Sequence, residues 1–582
     1  MSDKARVPVL IARNALTAWH RNKPANFLDA DPNIQVVLQM HMGERYHEHW
    51  PRLNRAAGMA AVRMSELAAE VNEVANEPRL KASDPFGTPA EEVILSPSAV
   101  ELGAHIWSTG VLEVLRDPGN ELLSLGLTYL IAHNGEAGHV CPLACTAGLI
   151  KLLLTVGSVH QQEQYLGLLT ETDVSKRLHA SQFITELQGG SDVGANALEA
   201  RTEDENNPEG TLFRLWGDKW FCSVADAGIF VATARVEGDA KGTEGLGLFL
   251  VPRVLNGKPN NFTIRRLKPK LGTRALATGE FEFRGALAEV IGPYGDGFKN
   301  LVSIVLDTSR VNNAVAACGM MHRAFLEAQT YAQYRKAFGS PIMEFPLVQL
   351  LLGKMKILTH AAVAATFRQV ALGDRIALGD EEAMTRVGAR RVMVMLNKYW
   401  TARLCTDVVR MGIDVLGGNG TIEDFSPLPK LYRDAMVLET WEGAHNTLCA
   451  QLLRDFQTRA LHLEFFDELR AWLAGVTHEE MAAPAEEAVE LIDKLEARLT
   501  AMLEGPPQRA AFQIRDWVEG AATINAYVSM LRECDWEMTN LEEQRTAKGT
   551  ELSLFRALYI DRIDPLDIPD LNQGLESLAR TF

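Results

Sequence analysis

The side chains best suited to chemistry lie in four short segments that combine hydroxyl, carboxylate or basic groups with glycine. These segments are Thr185–Val193, Gly217–Ser223, Tyr334–Gly339 and Trp441–Gly443. Taken singly, each has a structural interpretation, as a capped turn, a turn before a strand, a helix end or a loop with a solvated acid. Hydroxyls and a guanidinium are also groups that bind phosphate or polar rings, and a carboxylate can move a proton. The order of the four segments along the chain therefore carries more information than any one of them.

Motifs of several common enzyme classes are missing from the sequence. There is no G-x-x-x-x-G-K-[ST] loop and no G-x-S-x-G elbow, and Gly417–Gly420 follows a helical pattern without the third glycine of a dinucleotide-binding turn. The clusters His41–His49 and His139–Cys145 each lack the four convergent ligands of structural zinc. We therefore expect neither a nucleotide triphosphatase nor an α/β-hydrolase, and no metal site.

The charge of the chain is unevenly distributed. The 582 residues carry a net charge of -17, and residues 461–582 alone hold 24 acidic and 11 basic side chains. Residues 1–460 therefore hold 51 acidic and 47 basic side chains and are close to neutral. An acidic protein is repelled by a phosphate backbone, so we expect no nucleic-acid partner.

Compartment and membrane association follow from the cysteines and the apolar segments. The seven cysteines are scattered and odd in number, which does not suit a disulfide framework. The strongest apolar stretch is Ala147–Val156, which contains Lys151 and is shorter than the ~20 residues that a bilayer span needs. We expect a cytoplasmic protein without a transmembrane segment or signal peptide.

The hydrophobic period changes twice along the chain. It is mostly helical up to about residue 177, with a loop predicted at Asn76–Ser96, and alternates as in strands from about residue 178. It becomes helical again after Gly297 and stays helical to the end, most clearly at Glu486–Leu503. Because no long helical segments separate the strands, we predict an antiparallel β domain between two helical regions.

Seven motifs in order resemble those of the FAD-dependent acyl-CoA dehydrogenase family. They are Thr185-Glu186 with Gly189–Asp192, Gly217–Ser223, Lys270–Arg274, Asp307–Arg310, Arg335–Gly339, Gly417–Gly420 and Trp441–Gly443. The details are most similar to the adaptive alkylation-response branch. The resemblance implies an α+β multidomain fold with an N-terminal helical domain at 1–177, a middle antiparallel β domain at 178–296, a C-terminal four-helix-bundle domain at 297–457 and an acidic helical extension at 458–582.

The resemblance also implies a reaction, the α,β-dehydrogenation of an acyl-CoA thioester. Glu442 stands at the position of the family's catalytic base, which removes the α proton while a hydride leaves for flavin N5. Other branches place the base immediately before the arginine matched here by Arg310. That position is Ser309, which has no carboxylate. Electrons would then pass to an electron-transfer flavoprotein or a similar acceptor.

The remaining site residues are carried over by motif position. Thr185 and Ser223 are expected to bond the flavin ring, and Arg335 to pair with the FAD diphosphate across a subunit boundary. The full predicted cofactor set is Phe183, Ile184, Thr185, Gly190, Ser191, Phe221, Cys222, Ser223, Arg335, Phe338, Gln349, Asp414, Gly417, Gly418, Ala444 and Asn446. The predicted substrate set is Ser191, Asp307, Arg310 and Gly443.

Several positions depart from the family pattern. Pro346 and Asp414 replace glutamines, and Gln349 is a substitute for the first of them. Ala444 and Asn446 replace a threonine and a glutamine, so these departures concern the adenosine end of FAD. Trp441 replaces a tyrosine and adds bulk beside the acyl channel.

Three other functions are compatible with the motifs. An acyl-CoA oxidase uses the same site but lets oxygen reach the reduced flavin. A DNA-associated alkylation-stress protein would keep the site as a vestige, and a scaffold would use the added C-terminal helices. In some large family members such a tail covers the surface where a second dimer would dock, so a homodimer is expected, with a tetramer as the alternative.

Overall fold

The computed structural model of the protein describes residues 3–203, 210–236, 241–541, 546–564 and 567–582. Its contacts divide the chain into two compact units. The helical unit contains Met1–Arg63, Leu125–Gly135 and Asn313–Phe582, and the β unit contains Met64–Ser124 and Glu136–Asn312.

The α-helices are α1 Asp3–Arg21, α2 Pro32–Met42, α3 Arg45–Ala61, α4 Arg63–Val71, α5 Pro97–Ser108, α6 Glu121–Ala132, α7 Val140–Val156, α8 Val159–Leu169, α9 Gly297–Asn300, α10 Leu306–Tyr334, α11 Pro346–Ala377, α12 Glu381–Met384, α13 Val387–Leu416, α14 Leu428–Leu438, α15 His445–Arg459, α16 Leu461–Leu473, α17 Glu479–Glu504, α18 Pro507–Asn540, α19 Lys548–Phe555 and α20 Leu571–Arg580. The strands are β1 Arg79–Ser83, β2 Pro89–Ile94, β3 Ala180–Phe183, β4 Glu199–Thr202, β5 Leu212–Ser223, β6 Ile229–Val236, β7 Leu246–Pro252, β8 Val254–Leu255, β9 Lys258–Pro259, β10 Phe262–Leu267, β11 Thr278–Val290, β12 Lys336–Ala337 and β13 Ser340–Pro341.

Five strands of the β unit pair in a closed ring. The order of pairing is β11, β5, β4, β6, β7 and back to β11, while β10 adds to β11 and β3 adds to β6. The 13-residue β11 bends where its register shifts near Gly285, whose φ is +86° and where a Cβ would meet the Trp216 ring at 2.8 Å. Glycine is required there because no side chain fits both the backbone angle and the space.

The predicted layout, with helical terminal regions, a middle β domain and additional C-terminal helices, is confirmed. Two local predictions need correction. The segment Asn76–Ser96 is not a plain loop, because β1 and β2 form an antiparallel hairpin within it. The β domain is mostly antiparallel, but β3 and β4 each run parallel to β6. The hairpin strands β1 and β2 are rich in charged and exposed residues and so lack the apolar alternation of a strand. The parallel pairs escape prediction because a short apolar run does not record which strand it will pair with.

The core of the helical unit is formed by α11 and α13, which pack against each other and against α14, α16, α18 and α20. Helix α11 is long and apolar enough to cross a bilayer, and 72% of its most apolar window is buried in the protein. Burial of this kind is typical of a helix in a protein core. It also shows that α11, rather than Ala147–Val156, is the most membrane-like segment of the described chain.

A chain of buried polar groups crosses the helical unit. His133 Nε2 lies 2.9 Å from His322 Nδ1, and the same His322 nitrogen lies 3.4 Å from Asp31 Oδ2. The Tyr129 hydroxyl donates to this carboxylate at 2.5 Å, and the His133 Nδ1 atom lies 2.9 Å from the Tyr129 carbonyl oxygen. Burial lowers the pKa of His322 from an ordinary 6.5 to about 4, although the charge of Asp31 opposes this shift. The folded protein therefore keeps this imidazole neutral.

This shift predicts an acid-sensitive fold. An unfolded chain binds a proton at His322 near pH 6.5, whereas the folded chain does so only near pH 4. Stability should therefore fall as the pH drops from about 6.5 to 4, and this group alone accounts for roughly 3 kcal/mol. Urea denaturation at several pH values measures the slope. This slope reports how many more protons the unfolded chain binds than the folded chain. His322→Asn should lower that number by up to one, whereas His160→Asn, at an exposed histidine, should not change it. Equal slopes in all three proteins would contradict the assignment.

Candidate active site

The loop that carries Thr185 is fixed by a buried ion pair in the β unit. Lys219 Nζ lies 2.7 Å from Glu186 Oε1, and both side chains are almost completely buried. The same ammonium group donates to the Ile184 carbonyl at 3.1 Å and to Thr233 Oγ1 at 3.0 Å. A buried charge is tolerated only when it is paired and hydrogen-bonded, and this lysine is both.

The backbone around Glu186 completes this support. Its carboxylate accepts the N–H groups of Ala197 at 2.6 Å and Leu198 at 3.1 Å. Glu186 and Gly189 exchange two backbone hydrogen bonds, which close a tight turn. The Trp220 N–H donates to the Thr185 carbonyl at 2.8 Å. This bond brings the Thr185 loop beside the end of β5.

The two predicted hydroxyl groups of this region remain within reach of a ligand. Thr185 and Ser223 are half-buried, and Ser223 Oγ lies 3.2 Å from Thr278 Oγ1. Gly190 and Ser191 are exposed. The β unit therefore gathers hydroxyls and glycine at one end of β5, as the motifs predict.

Two other residues predicted to contact the cofactor, on β3 and β5, direct their side chains into the protein core. The Phe183 ring is fully buried and stacks on Phe230 with ring centroids 4.4 Å apart. Cys222 is also fully buried, which raises the pKa of its thiol, while its neighbour Phe221 is 52% exposed. Alternation along a strand forces this outcome, because neighbouring side chains face opposite sides. The side chains of Phe183 and Cys222 therefore lie in the β core, and only their backbone atoms, like those of half-buried Ile184, are placed to meet a ligand. That these three residues line a cofactor stays a prediction.

The predicted substrate residues of the β unit lie on the first turn of α10, after a π-helical turn at Leu301–Val305. Asp307 is half-buried and Arg310 is buried, and their spacing places them on one helix face. Between them and β3, Ser309 Oγ donates to Gln182 Oε1 at 3.3 Å. The Gln182 Nε2 atom is buried and has no hydrogen-bond partner in the described part of the chain.

In the helical unit, the loop between α14 and α15 holds Glu442 in a left-handed conformation. The φ angles of Glu442 and Gly443 are +57° and +101°. Such a conformation is uncommon for glutamate and must be held by its surroundings. Lys398 of α13, with 0% of its surface exposed, donates to the Glu439 carbonyl at 3.2 Å and to the Gly443 carbonyl at 2.9 Å. This ammonium group spans the loop and fixes both of its ends.

A second contact closes the same loop through side chains. His445 Nε2 lies 2.9 Å from Glu439 Oε2, and Thr406 donates to the other carboxylate oxygen at 2.5 Å. Burial alone would raise the pKa of Glu439, but the bonds from His445 and Thr406 hold it below its ordinary value. Glu439 therefore stays ionised as an anchor, and we assign it no part in proton transfer.

The phosphate-binding residues predicted in this unit are accessible. Arg335 is half-buried at the end of α10, and its guanidinium has no ion-pair partner among the residues that the structure describes. Phe338 follows at a left-handed turn with φ +52° and is 100% exposed. Asn419 Nδ2 donates to the Tyr331 hydroxyl at 3.0 Å, which joins the glycine loop to the helix end that carries Arg335.

The positions that depart from the family pattern differ in their surroundings. Gln349 is buried and donates to the Met343 carbonyl at 3.1 Å, so its amide is already used inside the chain. Asp414, Gly417 and Gly418 are exposed, and a Cβ at either glycine would meet nothing within 4 Å.

The two residues after the base motif also lie at the surface. Ala444 and Asn446 are exposed, and Asn446 accepts a hydrogen bond of 3.2 Å from Arg515 of α18. The C-terminal extension therefore contacts the loop region directly.

Two supporting residues were missed as functional candidates from the sequence. Lys398 lies within the apolar run Val392–Trp400, where a lone lysine is the only signal. Gln182 precedes the first motif by three residues and carries no signal of its own. Both act through contacts that join distant parts of the chain, which spacing alone does not reveal.

Comparisons with known proteins cover most of the chain. Family models described as the acyl-CoA dehydrogenase C-terminal domain and middle domain match residues 295–456 and 181–286. A third, the N-terminal domain of the adaptive response protein AidB, matches residues 20–173.

Individual relatives agree with these models. Acyl-CoA dehydrogenase family member 11 of Caenorhabditis elegans is 32% identical over 71% of this chain and 68% of its own length. The putative acyl-CoA dehydrogenase AidB of Escherichia coli is 32% identical over 57% of this chain and 60% of its own. The solved structure of Caenorhabditis elegans ACDH-11 in complex with C11-CoA has a TM-score of 0.82 at 25% identity, covering 90% of this chain and 89% of that one. The chain belongs to the acyl-CoA dehydrogenase family and is an oxidoreductase of that class.

Proposed function

We propose that the protein oxidises an acyl-CoA thioester to the α,β-unsaturated thioester, with Glu442 as the base that removes the α proton. One observation supports the assignment more than any other. The structure holds Glu442 in an uncommon left-handed conformation by means of buried Lys398 and the Glu439–His445 pair. An uncommon backbone conformation that is held by several buried contacts is typical of a residue whose position matters for chemistry.

The cofactor is FAD, as membership of the family implies. The residues of the chain fit this molecule. The hydroxyls of Thr185 and Ser223 and the Nε2 group of Gln182, which has no partner among the described residues, suit the polar edge of a flavin ring. Arg335 offers a guanidinium without an acidic partner in the described structure, which suits a diphosphate.

Bound FAD supplies the acceptor for the hydride that leaves the β carbon. The protein supplies the base and the position. An α C–H bond is a very weak acid, so the carboxylate must be adjacent and shielded from water. Gly443 lies immediately after Glu442, and its carbonyl is tied to Lys398. The backbone N–H of Glu442 is thereby held as a donor for the thioester carbonyl, where negative charge develops.

The substrate class follows from the family and from one relative. Caenorhabditis elegans ACDH-11 was solved with C11-CoA, and its fold covers most of this chain. We infer that Asp307 and Arg310 face the CoA part, while Trp441, which is half-buried, narrows the acyl side. The Trp441 Nε1 atom is buried without a partner in the part of the chain described here, so this ring offers a donor as well as bulk.

We further propose an electron-transfer flavoprotein as electron acceptor and a homodimer as the assembly. Exposed apolar side chains support a subunit boundary near Arg335. Phe338 and Leu347 are 100% and 76% exposed, which is costly for a lone chain in water. A cytoplasmic location and the lack of a nucleic-acid partner stay predictions. The latter rests on the acidic extension, although the match to AidB keeps the DNA-associated function as the alternative.

Glu442→Gln tests the base directly. The amide keeps the shape of the side chain but cannot accept the proton, so flavin reduction by acyl-CoA should slow by at least about 10³-fold. Anaerobic stopped-flow absorbance follows the flavin, and the visible spectrum of the purified protein measures bound FAD. Glu576→Gln, at an exposed residue of α20, is the control and should match wild type. Substantial reduction in the Glu442→Gln variant with FAD bound would refute the assignment.

Lys398→Met tests the loop support. It leaves the Glu439 and Gly443 carbonyls without their donor, so Glu442 should lose its position and kcat should fall roughly 100-fold. FAD content and the KM for acyl-CoA should change much less, which separates positioning from binding. Lys398→Arg should recover part of kcat, and Lys176→Met, at an exposed lysine, should match wild type. A normal kcat in Lys398→Met would show that the Glu442 loop keeps its conformation without Lys398.

The acceptor is tested by reoxidation. After anaerobic reduction with acyl-CoA, the flavin should recover its absorbance rapidly with an electron-transfer flavoprotein and slowly with air. The reason is that the active site of a dehydrogenase shields the reduced flavin from oxygen, whereas that of an oxidase does not. Rapid recovery in air alone would identify an oxidase instead.

A further inference from the structure

The helical unit contains a large cavity that shares no residue with the predicted active site. Its volume is about 1230 Å³, and it lies between α11 and α13 on one side and α17 and α18 on the other. The π-helical turn Arg556–Ile560 supplies part of the wall. Pockets for small molecules usually span ~300–1,000 Å³, and π-helical turns are frequent at functional sites.

The deep part of the cavity is apolar. Leu358, Trp400 and Leu495 line it and are only 4%, 5% and 3% exposed. Gly520 lies on the same wall, and a Cβ there would have its nearest neighbour, Leu495 Cδ1, at 3.9 Å. Glycine in the middle of α18 destabilises the helix. Its presence at this position keeps space in the cavity free that a side chain would fill.

The mouth of the cavity is cationic. Lys354, Arg498 and Arg562 line it, and none of the three has an ion-pair partner among the described residues. Arg498 and Arg562 are exposed and Lys354 is half-buried. The opening is therefore in contact with water and presents positive charge to it.

The charge of this lining is opposite to that of its surroundings. The wall holds five cations and three carboxylates, a net of +2, the carboxylates being Asp407, Asp516 and Glu519. Of these, Glu519 is already paired with Arg403 at 2.9 Å. Residues 461–582, which supply 14 of the 21 lining residues, carry a net charge of -13. Cations collected at one cavity in so acidic a segment favour an anionic occupant.

A further group on the wall can donate a hydrogen bond. Tyr559 lines the cavity, and burial together with the charge of Asp407 raises the pKa of its hydroxyl. The hydroxyl therefore stays protonated at neutral pH and is available as a donor.

We propose that this cavity binds an amphiphile with a linear apolar tail and an anionic head group, either a carboxylate or a phosphate. The tail lies against Trp400, Leu358 and Leu495, and the head group lies at Lys354, Arg498 and Arg562. The site is separate from the residues assigned to catalysis. It therefore gives the C-terminal extension a binding role of its own.

Isothermal titration calorimetry on the full-length FAD-loaded protein tests this site. Dodecanoate and dodecyl phosphate, below their micelle concentrations, should each bind with one site per chain, or one of them should bind alone and so identify the head group. Dodecyltrimethylammonium and dodecyl maltoside should bind at least about tenfold more weakly, because the mouth repels a cation and offers a neutral head no ion pair. Failure of both anions to bind, or equal binding of the cationic compound, would overturn the proposal.

Variants then locate the binding. Arg498→Glu with Arg562→Glu should weaken the anions by about tenfold or more, and Gly520→Leu should do so by filling the apolar end. Arg116→Glu with Lys176→Glu, at exposed cations outside the lining, is the control and should bind as wild type. All variants should keep their circular dichroism and their rate of flavin reduction, which separates this site from the active site. Undiminished binding in both cavity variants would place the amphiphile elsewhere and overturn the assignment.

Discussion

A buried ammonium group is the interaction on which the candidate active site depends. Lys398 has no exposed surface, and its hydrogen bonds go to the Glu439 and Gly443 carbonyls at the two ends of the Glu442 loop. Removing a lysine from water is expensive, so it is tolerated only where its donors are used. Here they hold a glutamate at φ +57°, a conformation that the sequence of the loop does not favour by itself.

The β unit uses the same device at its own loop. Lys219 is buried, bonds the Ile184 carbonyl and pairs with Glu186, so the backbone on either side of Thr185 is fixed. Both lysines lie on regular elements, β5 and α13, whereas Thr185 and Glu442, the residues whose backbone they support, lie on loops. Rigid elements thus determine the position of flexible ones, which is the arrangement that precise chemistry requires.

The motifs and their order can be read directly from the sequence, and the hydrophobic period predicts the layout of helical and β regions. It does not predict which neighbours a strand residue faces, and so gives no sign that the side chains of Phe183 and Cys222 fill the β core. It also gives no sign that Lys398 supports a loop more than 40 positions away. Such contacts depend on how elements pack, and a single sequence carries no record of that packing.

The C-terminal extension is part of the helical unit rather than an attachment to it. His360 Nδ1 lies 2.7 Å from Glu551 Oε2, and Lys548 donates to Asn33 Oδ1 at 2.6 Å, with all four side chains buried. Buried bonds of this kind tie α19 to α11 and α2, so the extension cannot separate without exposing charges. The extension also contributes Lys494, Arg498 and Arg562 to the cavity wall that it shares with α11 and α13, so the same packing that anchors it builds the proposed binding site.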